Sequence, residues 1–147
     1  MNKRMTSSLL VLFCAGTLSA AERGTVDEAK ALLAKAVKKV ETDGSAKAVA
    51  AFNDPKGGFR DRDLYVFCYG PDNKVTAAAT PALIGTDIAS VKDADGNSIG
   101  AAMLKMIAAG GGSIDYRFLN PMTGKVENKQ SFLQKAGDQV CGVGVYK

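Results

Sequence analysis

The stretch Asp63-Leu64-Tyr65-Val66-Phe67-Cys68-Tyr69 is the most strand-like run in the chain. It is rich in aromatic and β-branched residues, and Gly70-Pro71-Asp72-Asn73 follows it with the composition of a tight turn. We therefore predict a central β-strand that returns through residues 74–79 as an antiparallel hairpin. A lone hairpin is only marginally stable in water, so the rest of the chain must supply further strands or a helix.

The two faces of this strand differ in chemistry. Side chains alternate along a strand, so Tyr65, Phe67 and Tyr69 should share one face while Val66 and Cys68 share the other. The aliphatic face suits a packed helix. The aromatic face carries hydroxyl groups at its tips and suits a binding pocket.

The composition excludes several classes of function. The chain has 147 residues, a formal net charge of +4, and neither histidine nor tryptophan. Without histidine there is no His-based acid–base catalysis, no Ser-His or Cys-His nucleophile pair and no His-ligated metal or haem. The basic residues are dispersed among acidic ones, so we expect no nucleic-acid surface. We predict a protein that is not an enzyme and holds no cofactor and no metal.

Residues 1–21 are predicted to be a secretory signal peptide. They begin with basic residues, continue with an apolar stretch, and end in small residues at a cleavage point after Ala20 or Ala21. The mature chain should therefore be periplasmic or secreted. Cys14 raises the alternative of lipid attachment, but it follows the bulky Phe13 rather than a small residue.

Residues 22–147 are predicted to form a single α+β domain, because about 126 residues give one modest core. They contain no apolar run long enough to span a membrane. A capping-box pattern at Thr25 marks the start of a long helix. The predicted elements after the cap are, in order, a helix ending at Gly44, a short helix from a Ser45 cap to Phe52, the hairpin, a helix from Ile99 to Ala109 capped by Ser98, strands at 113–118 and 125–133, and a last strand at 140–146.

Two cysteines remain in the predicted mature chain, Cys68 and Cys141. An oxidising compartment favours a disulfide between them, and closing a ~70-residue loop would add about 4 kcal/mol. The alternative is a pair of buried, small apolar residues. Their wide separation does not resemble a Cys-x-x-Cys redox motif, which argues against a thiol enzyme.

The last predicted strand has one bare face. Gly142 and Gly144 alternate with apolar residues, and glycine weakens a strand unless something approaches the sheet closely there. We expect a ligand or an overlying loop at that position.

The order of elements and several short motifs resemble those of the single Cache domains of type 2, which are extracellular PAS-like sensors. The resemblance covers about residues 25–147. The motifs that carry it are Phe52-Asn53-Asp54-Pro55-Lys56-Gly57, Arg62-Asp63-Leu64-Tyr65-Val66-Phe67, Pro81 with Leu83 and Gly85, Asp93-Ala94-Asp95-Gly96, Asn120-Pro121 with Thr123-Gly124-Lys125, Lys129, and Gly142-Val143-Gly144-Val145-Tyr146-Lys147.

The resemblance implies a five-stranded antiparallel sheet whose first and last strands are adjacent at its middle. A long N-terminal helix should cover one face, and loops with a short helix should cover the other. Cys68 and Cys141 would then lie on neighbouring strands, both on the aliphatic side. The resemblance also implies a small extracellular metabolite, such as a short carboxylic acid, in a pocket over the other face.

The candidate ligand-binding residues are aromatic and basic. Tyr65, Phe67, Tyr69, Tyr116 and Phe118 would form the wall of the pocket. Lys129, which matches a lysine of the family pattern, is the first choice for a carboxylate partner, and Arg117 is the second. Strand parity sets Lys129 on the face of Ser131 and Leu133, opposite Phe132, and only one of these sets can face the pocket.

The expected function is a periplasmic sensor domain for a small molecule, with a carboxylate favoured. Most such domains sit between membrane helices of receptors, whereas this sequence stops at Lys147, so a signal would pass to a separate membrane receptor or kinase. The alternative is an interaction module without a ligand, whose pocket is filled by its own side chains.

Overall fold

In a computed structural model of the protein, residues 22–147 are described; the predicted signal peptide lies outside the described residues. The described part contains three α-helices, two short 3-10 turns and six strands, and no helix in it is both long and apolar enough to cross a membrane. The elements are α1 (Val26–Asp43), α2 (Ser45–Asn53), β1 (Arg60–Asp61), β2 (Leu64–Tyr69), β3 (Val75–Ala77), 3-10 turns Pro81–Leu83 and Ile88–Ser90, α3 (Ile99–Ala108), β4 (Gly112–Leu119), β5 (Val126–Ala136) and β6 (Gln139–Tyr146).

The strands form one antiparallel sheet in the order β1-β2-β6-β5-β4, with β3 also paired to β2. The predicted α+β fold is therefore confirmed, including the first hairpin and the pairing of β2 with the last strand at the middle of the sheet. The five predicted strands are all present. The sixth is the two-residue β1, which pairs only with the start of β2.

Helix α1 covers the aliphatic face of the sheet, as predicted. Thr25 and Glu28 form the full capping box at its start, with the Thr25 side chain accepting from the Glu28 N–H and the Glu28 carboxylate accepting from the Thr25 N–H. Its apolar stripe packs with the inward residues of three strands into the larger core. That core includes Ala29, Leu33, Ala36, Val37, Val40, Leu64, Val66, Cys68, Cys141, Val143 and Val145.

One predicted helix cap is wrong, and the other is right in position only. Ser45 does not cap α2, because it is the first helical residue after Gly44 and its hydroxyl is hydrogen-bonded to Asp138. Ser98 occupies the cap position of α3 but makes no side-chain hydrogen bond there, and the helix ends at Ala108, one residue earlier than predicted. Both helices are stabilised by packing on their neighbours rather than by these hydroxyl groups.

A second layer covers the aromatic face of the sheet. It consists of residues 78–91, which include the two 3-10 turns, together with α3, and we call this layer the roof. Ile88, Ile99 and Met103 pack from the roof onto the sheet. Gly100 lets the roof close, because its N–H donates to the Val91 carbonyl at 3.1 Å and a Cβ there would collide with the Ile88 backbone. The space between roof and sheet contains the candidate site.

Cys68 and Cys141 are directly opposite one another on β2 and β6 and are joined by a disulfide. Both are almost completely buried, at 1% and 0% exposure, beneath α1. The bond links the two central strands of the sheet across a sequence separation of 73 residues.

Candidate functional site

A small cavity of about 50 Å³ lies between the aromatic face of the sheet and the roof. Its floor comes from three strands and carries Tyr65, Phe67, Tyr116, Phe118 and Lys129. Its roof is aliphatic apart from Thr80. The main roof residues are Ala78, Leu83, Ile88, Val91, Ile99 and Met103. A hollow of this volume has room for about three to five water-sized groups.

Lys129 is the charged residue of the cavity floor. It lies on β5, directly opposite Tyr116 on β4 and Tyr146 on β6, and only 1% of it is exposed. Its Nζ donates a hydrogen bond of 2.6 Å to the Tyr65 hydroxyl. Five aromatic rings surround the amine, with centroids between 4.1 and 5.9 Å from Nζ, and they belong to Tyr65, Phe67, Tyr116, Phe118 and Tyr146.

This environment disfavours the charge of Lys129. Burial lowers the pKa of its amine to about 7, and the buried carboxylate of Asp63 opposes that shift only in part. Cation–π contacts with the surrounding rings offset some of the lost hydration. Lys129 belongs to none of the ion pairs found in residues 22–147. The cavity therefore presents a buried amine without an anionic partner in the described part of the chain.

The tyrosines of the site form two hydrogen-bonded pairs. The Tyr65 hydroxyl lies 3.2 Å from that of Tyr146, which in turn donates to the Leu119 carbonyl at 2.7 Å. Tyr116 is paired with Ser131 at 2.8 Å. Burial raises the pKa of all three phenols, so they stay neutral at physiological pH. They can orient a ligand by hydrogen bonding but add no charge.

Asp63 is a buried carboxylate beneath this cluster, and the sequence predicted no role for it at the site. One of its oxygens accepts from the Gly24 N–H at 2.8 Å, and the other accepts from Asn120 at 3.4 Å. The Asn120 amide also donates to Glu127 at 2.8 Å. Through its two hydrogen bonds, Asp63 connects the segment just before α1 to the β4–β5 turn. Asp63 is thus held by hydrogen bonds rather than by an ion pair.

Most of the predicted site residues meet at the cavity, but two do not. Tyr65, Phe67, Tyr116, Phe118 and Lys129 line it together. Tyr69 shares their face but lies at the far end of β2, beside a shallow depression near the β5–β6 turn, where its hydroxyl is buried without a hydrogen-bond partner among residues 22–147. It does not line the cavity, because the strand carries it too far along.

Arg117 also lies apart from the cavity. Parity sends it to the opposite face from its neighbours Tyr116 and Phe118, where it is half-exposed and ion-paired with Asp95 at 2.7 Å. Arg117, predicted as a second carboxylate partner, therefore does not line this cavity. Lys129 faces the cavity side of β5, whereas Phe132 packs against the core beneath α1.

Tyr146 and Ser131 were missed as site residues. Tyr146 follows Gly142 and Gly144 at a spacing of two, so the same alternation that marked the glycine face could have placed its ring beside Lys129. Ser131 shares the face of Lys129 by the same rule. Among residues 22–147, no three His, Cys, Asp or Glu side chains converge in an arrangement that could hold a metal ion.

The sequence had suggested a ligand or an overlying loop against the bare face of β6. The structure shows instead that neighbouring side chains occupy that face. A Cβ on Gly142 would enter the ring of Phe67, and one on Gly144 would collide with Lys129 Cε and Ser131 Oγ. The glycines thus provide the room in which the lysine side chain lies flat across the sheet.

Replacing Gly144 with alanine should therefore weaken both stability and ligand binding. The new methyl group must displace Lys129 from its cage, and such overpacking costs about 1–3 kcal/mol. Val145→Ala is the matched control, since Val145 packs on the α1 side of the same strand. We expect both variants to melt earlier in a thermal scan and only Gly144→Ala to lose its response to carboxylates. If Gly144→Ala and Val145→Ala respond equally to carboxylates, this role of Gly144 is contradicted.

Comparison with known proteins identifies the fold. The family model described as "Single Cache domain 2" matches residues 15–146. A methyl-accepting chemotaxis protein from Vibrio parahaemolyticus RIMD 2210633 is similar in structure, with a TM-score of 0.68 and 21% identity over 82% of this chain and 86% of that one. No curated protein sequence matches the chain.

Two further solved structures share the fold. One, whose title describes carboxylic acid recognition by a Cache chemosensory domain, has a TM-score of 0.61 and 21% identity, covering 82% of this chain and 86% of that chain. The other is a periplasmic sensor domain of a chemotaxis protein, with a TM-score of 0.62 and 19% identity over 82% of this chain and 88% of that chain. At these identities the likeness establishes the architecture alone.

Proposed function

This chain belongs to the single Cache domain 2 family, and from that premise we propose that it is a sensor domain that binds a short-chain carboxylate in the cavity above Lys129. Domains of this family are sensory ligand-binding modules rather than enzymes. The proposal is finer than the family assignment, because it names the ligand class and the residue that binds it.

The observation that carries the proposal is the buried amine of Lys129, which forms no salt bridge within residues 22–147 and lies at the edge of an apolar hollow. An isolated buried charge is costly, and an opposite charge at about 4 Å recovers about 4 kcal/mol at an effective dielectric near 20. A carboxylate in the cavity would supply that charge. The phenols of Tyr65 and Tyr116 lie beside it as hydrogen-bond partners.

The size of the cavity limits the ligand. A volume of about 50 Å³ corresponds to acetate or a slightly longer acid, and leaves no room for an amino acid with a large side chain. Binding must also overcome a loss of translational and rotational freedom on the order of 4–15 kcal/mol. We therefore expect dissociation constants in the range of about 1 μM to 1 mM.

Location and signalling are parts of the same proposal. We infer a periplasmic or secreted protein with a signal peptide at residues 1–21, in keeping with the periplasmic sensor domain that shares its fold. A membrane receptor or kinase is the kind of partner that would carry its signal, since related folds belong to chemotaxis proteins. The candidate ligand-free interaction module is less well supported, because the cavity is not filled by side chains.

Carboxylate binding should weaken as the pH rises above about 7. The ligand is ionised throughout, whereas Lys129, with its pKa lowered to about 7, must be protonated to bind it. The protonated fraction falls by about 30-fold between pH 6.0 and 8.5, and the apparent affinity falls in proportion. The raised pKa values of Tyr65, Tyr116 and Tyr146 exclude them from this range, and the chain has no histidine. Isothermal titration with acetate and propionate at both pH values measures the change.

Neutral and cationic analogues provide the control for ligand class. Ethanol and ethylamine match acetate in size but lack its negative charge, so neither should bind at pH 6.0. Absence of binding by every short acid at pH 6.0, together with recovery of a specific protein partner, would replace the sensor proposal with the interaction module. Binding that is independent of pH would remove Lys129 from the recognition of the ligand.

A further inference from the structure

The hydrogen bonds around Lys129 have a fixed direction. Tyr146 uses its single hydroxyl proton on the Leu119 carbonyl, so Tyr65 must be the donor in the Tyr65–Tyr146 pair. Tyr65 then has no proton left for Lys129, and the amine must donate to the Tyr65 oxygen. When the amine is neutral, this arrangement leaves its lone pair free of that hydrogen bond.

The Lys129 side chain borders an apolar hollow. This cavity has a volume of about 50 Å³, and five aromatic rings surround the amine, while Gly144 lies against its side chain and the Asp63 carboxylate acts on it from a greater distance. Burial lowers the pKa of the amine to about 7, so roughly three quarters of the molecules carry a neutral amine at pH 7.5. A lysine free in water is almost wholly protonated at that pH, with about 10² to 10³ times less neutral amine.

We propose that Lys129 is a covalent site, whose Nζ forms an imine with a small 2-oxo acid in the cavity. The proposal rests on the proposed function, because it uses the same cavity and the same carboxylate class. It goes beyond that function in assigning Lys129 as a nucleophile. Desolvated lysines beside a hollow are the usual nucleophiles for carbonyl compounds.

The step balances with no reactant besides a proton from solvent water. The Nζ lone pair attacks the carbonyl carbon, a C–N bond forms, and the C=O π pair moves to the oxygen, which takes up a proton from nitrogen. The oxygen then takes a second proton from solvent water and leaves as water, while the nitrogen lone pair forms the C=N bond and leaves a protonated imine. The protonated imine nitrogen carries a positive charge gained with that solvent proton, so the carboxylate of the bound ligand acquires a cationic partner.

Glyoxylate is the probe that fits the hollow. Its five heavy atoms match a volume of about 50 Å³. Glycolate is the matched control, since it carries a hydroxyl group in place of the carbonyl and cannot form an imine. The two compounds separate covalent capture from simple binding of a carboxylate.

The experiment treats the folded protein with glyoxylate and cyanoborohydride at pH 7.5 and locates the reduced adduct by peptide mass spectrometry. We expect an adduct at Lys129 that forms at least about tenfold faster than at the exposed Lys135 of the same strand, in line with the larger neutral fraction. Glycolate should slow its formation. The adduct at this position should be absent in Lys129→Arg, and the preference should vanish in urea-unfolded wild-type protein.

The outcomes distinguish the two proposals. If acetate and glycolate bind but Lys129 reacts no faster than Lys135, the covalent site is overturned and the sensor function stands. If no carboxylate binds and no selective adduct forms, both fail together. Equal preference for Lys129 in folded and unfolded protein also overturns the covalent site, and this comparison needs no variant that might fold poorly.

Discussion

Replacing Lys129 with methionine will raise the melting temperature of the ligand-free protein at pH 6.0 and will abolish its response to acetate. Methionine has a similar length and no charge, so it fills the aromatic cage without the cost of a buried ammonium. A pKa lowered from 10.5 to about 7 corresponds to roughly 5 kcal/mol for burying that charge, and we expect about 1–4 kcal/mol of it to appear as a gain in stability once packing differences are included. Differential scanning calorimetry and titration with acetate measure the two effects.

The gain in stability should depend on pH. The folded-state pKa of Lys129 lies below its unfolded value, so the unfolded chain binds more protons and the wild-type protein gains stability as the pH rises from about 7 towards 10.5. The advantage of the Lys129→Met variant should therefore shrink at pH 9.5. Lys135→Met, at an exposed position near the far end of the same strand, is the control and should keep the acetate response. A less stable Lys129→Met protein at pH 6.0 would show that the amine is not a burden to the fold.

Removing the disulfide will produce the other large change. The double variant Cys68→Ala/Cys141→Ala should lose about 4 kcal/mol of unfolding free energy, since the bond closes a loop of 73 residues in the unfolded chain. Because this model places the effect in the unfolded state, the folded sheet and the cavity should persist. Urea denaturation of the oxidised wild-type and the double variant gives the difference.

Acetate titration of the double variant is the accompanying control. The cysteines lie on the α1 side of the sheet, whereas Lys129 lies on the cavity side, so the acetate affinity of the folded fraction should change little. A double variant as stable as the wild-type protein would contradict the loop argument. Loss of acetate binding without loss of stability would show instead that the bond shapes the cavity.

Local patterns were enough to predict the frame of the domain. The aromatic run at 63–69 and its turn gave the first hairpin, the capping box gave the start of α1, and alternation set the chemistry of each sheet face. Parity grouped Lys129 with Ser131 and Leu133 but left open which side of β5 faces the cavity. These features depend on neighbours within a few residues, where a single sequence carries most of the information.

The errors came from interactions between distant segments. Arg117 is held outside by Asp95, which a separate turn contributes, and no local pattern indicates that pairing. Tyr69 has the predicted face but the wrong position along the strand, because alternation specifies a face and not a depth. The glycines of β6 were understood as room for a foreign group, whereas Phe67 and Lys129 from the adjoining strands fill that room.

The two walls of the cavity differ in how firmly they are built. The floor is a sheet whose central strands are cross-linked by Cys68 and Cys141, while much of the roof consists of two three-residue turns with mostly solvent-exposed residues. Elements with few buried contacts open at lower free energy than a cross-linked core. In the proposed sensor, opening of those turns would let the ligand enter and leave, so the roof would govern the kinetics of exchange while the recognition surface stays intact.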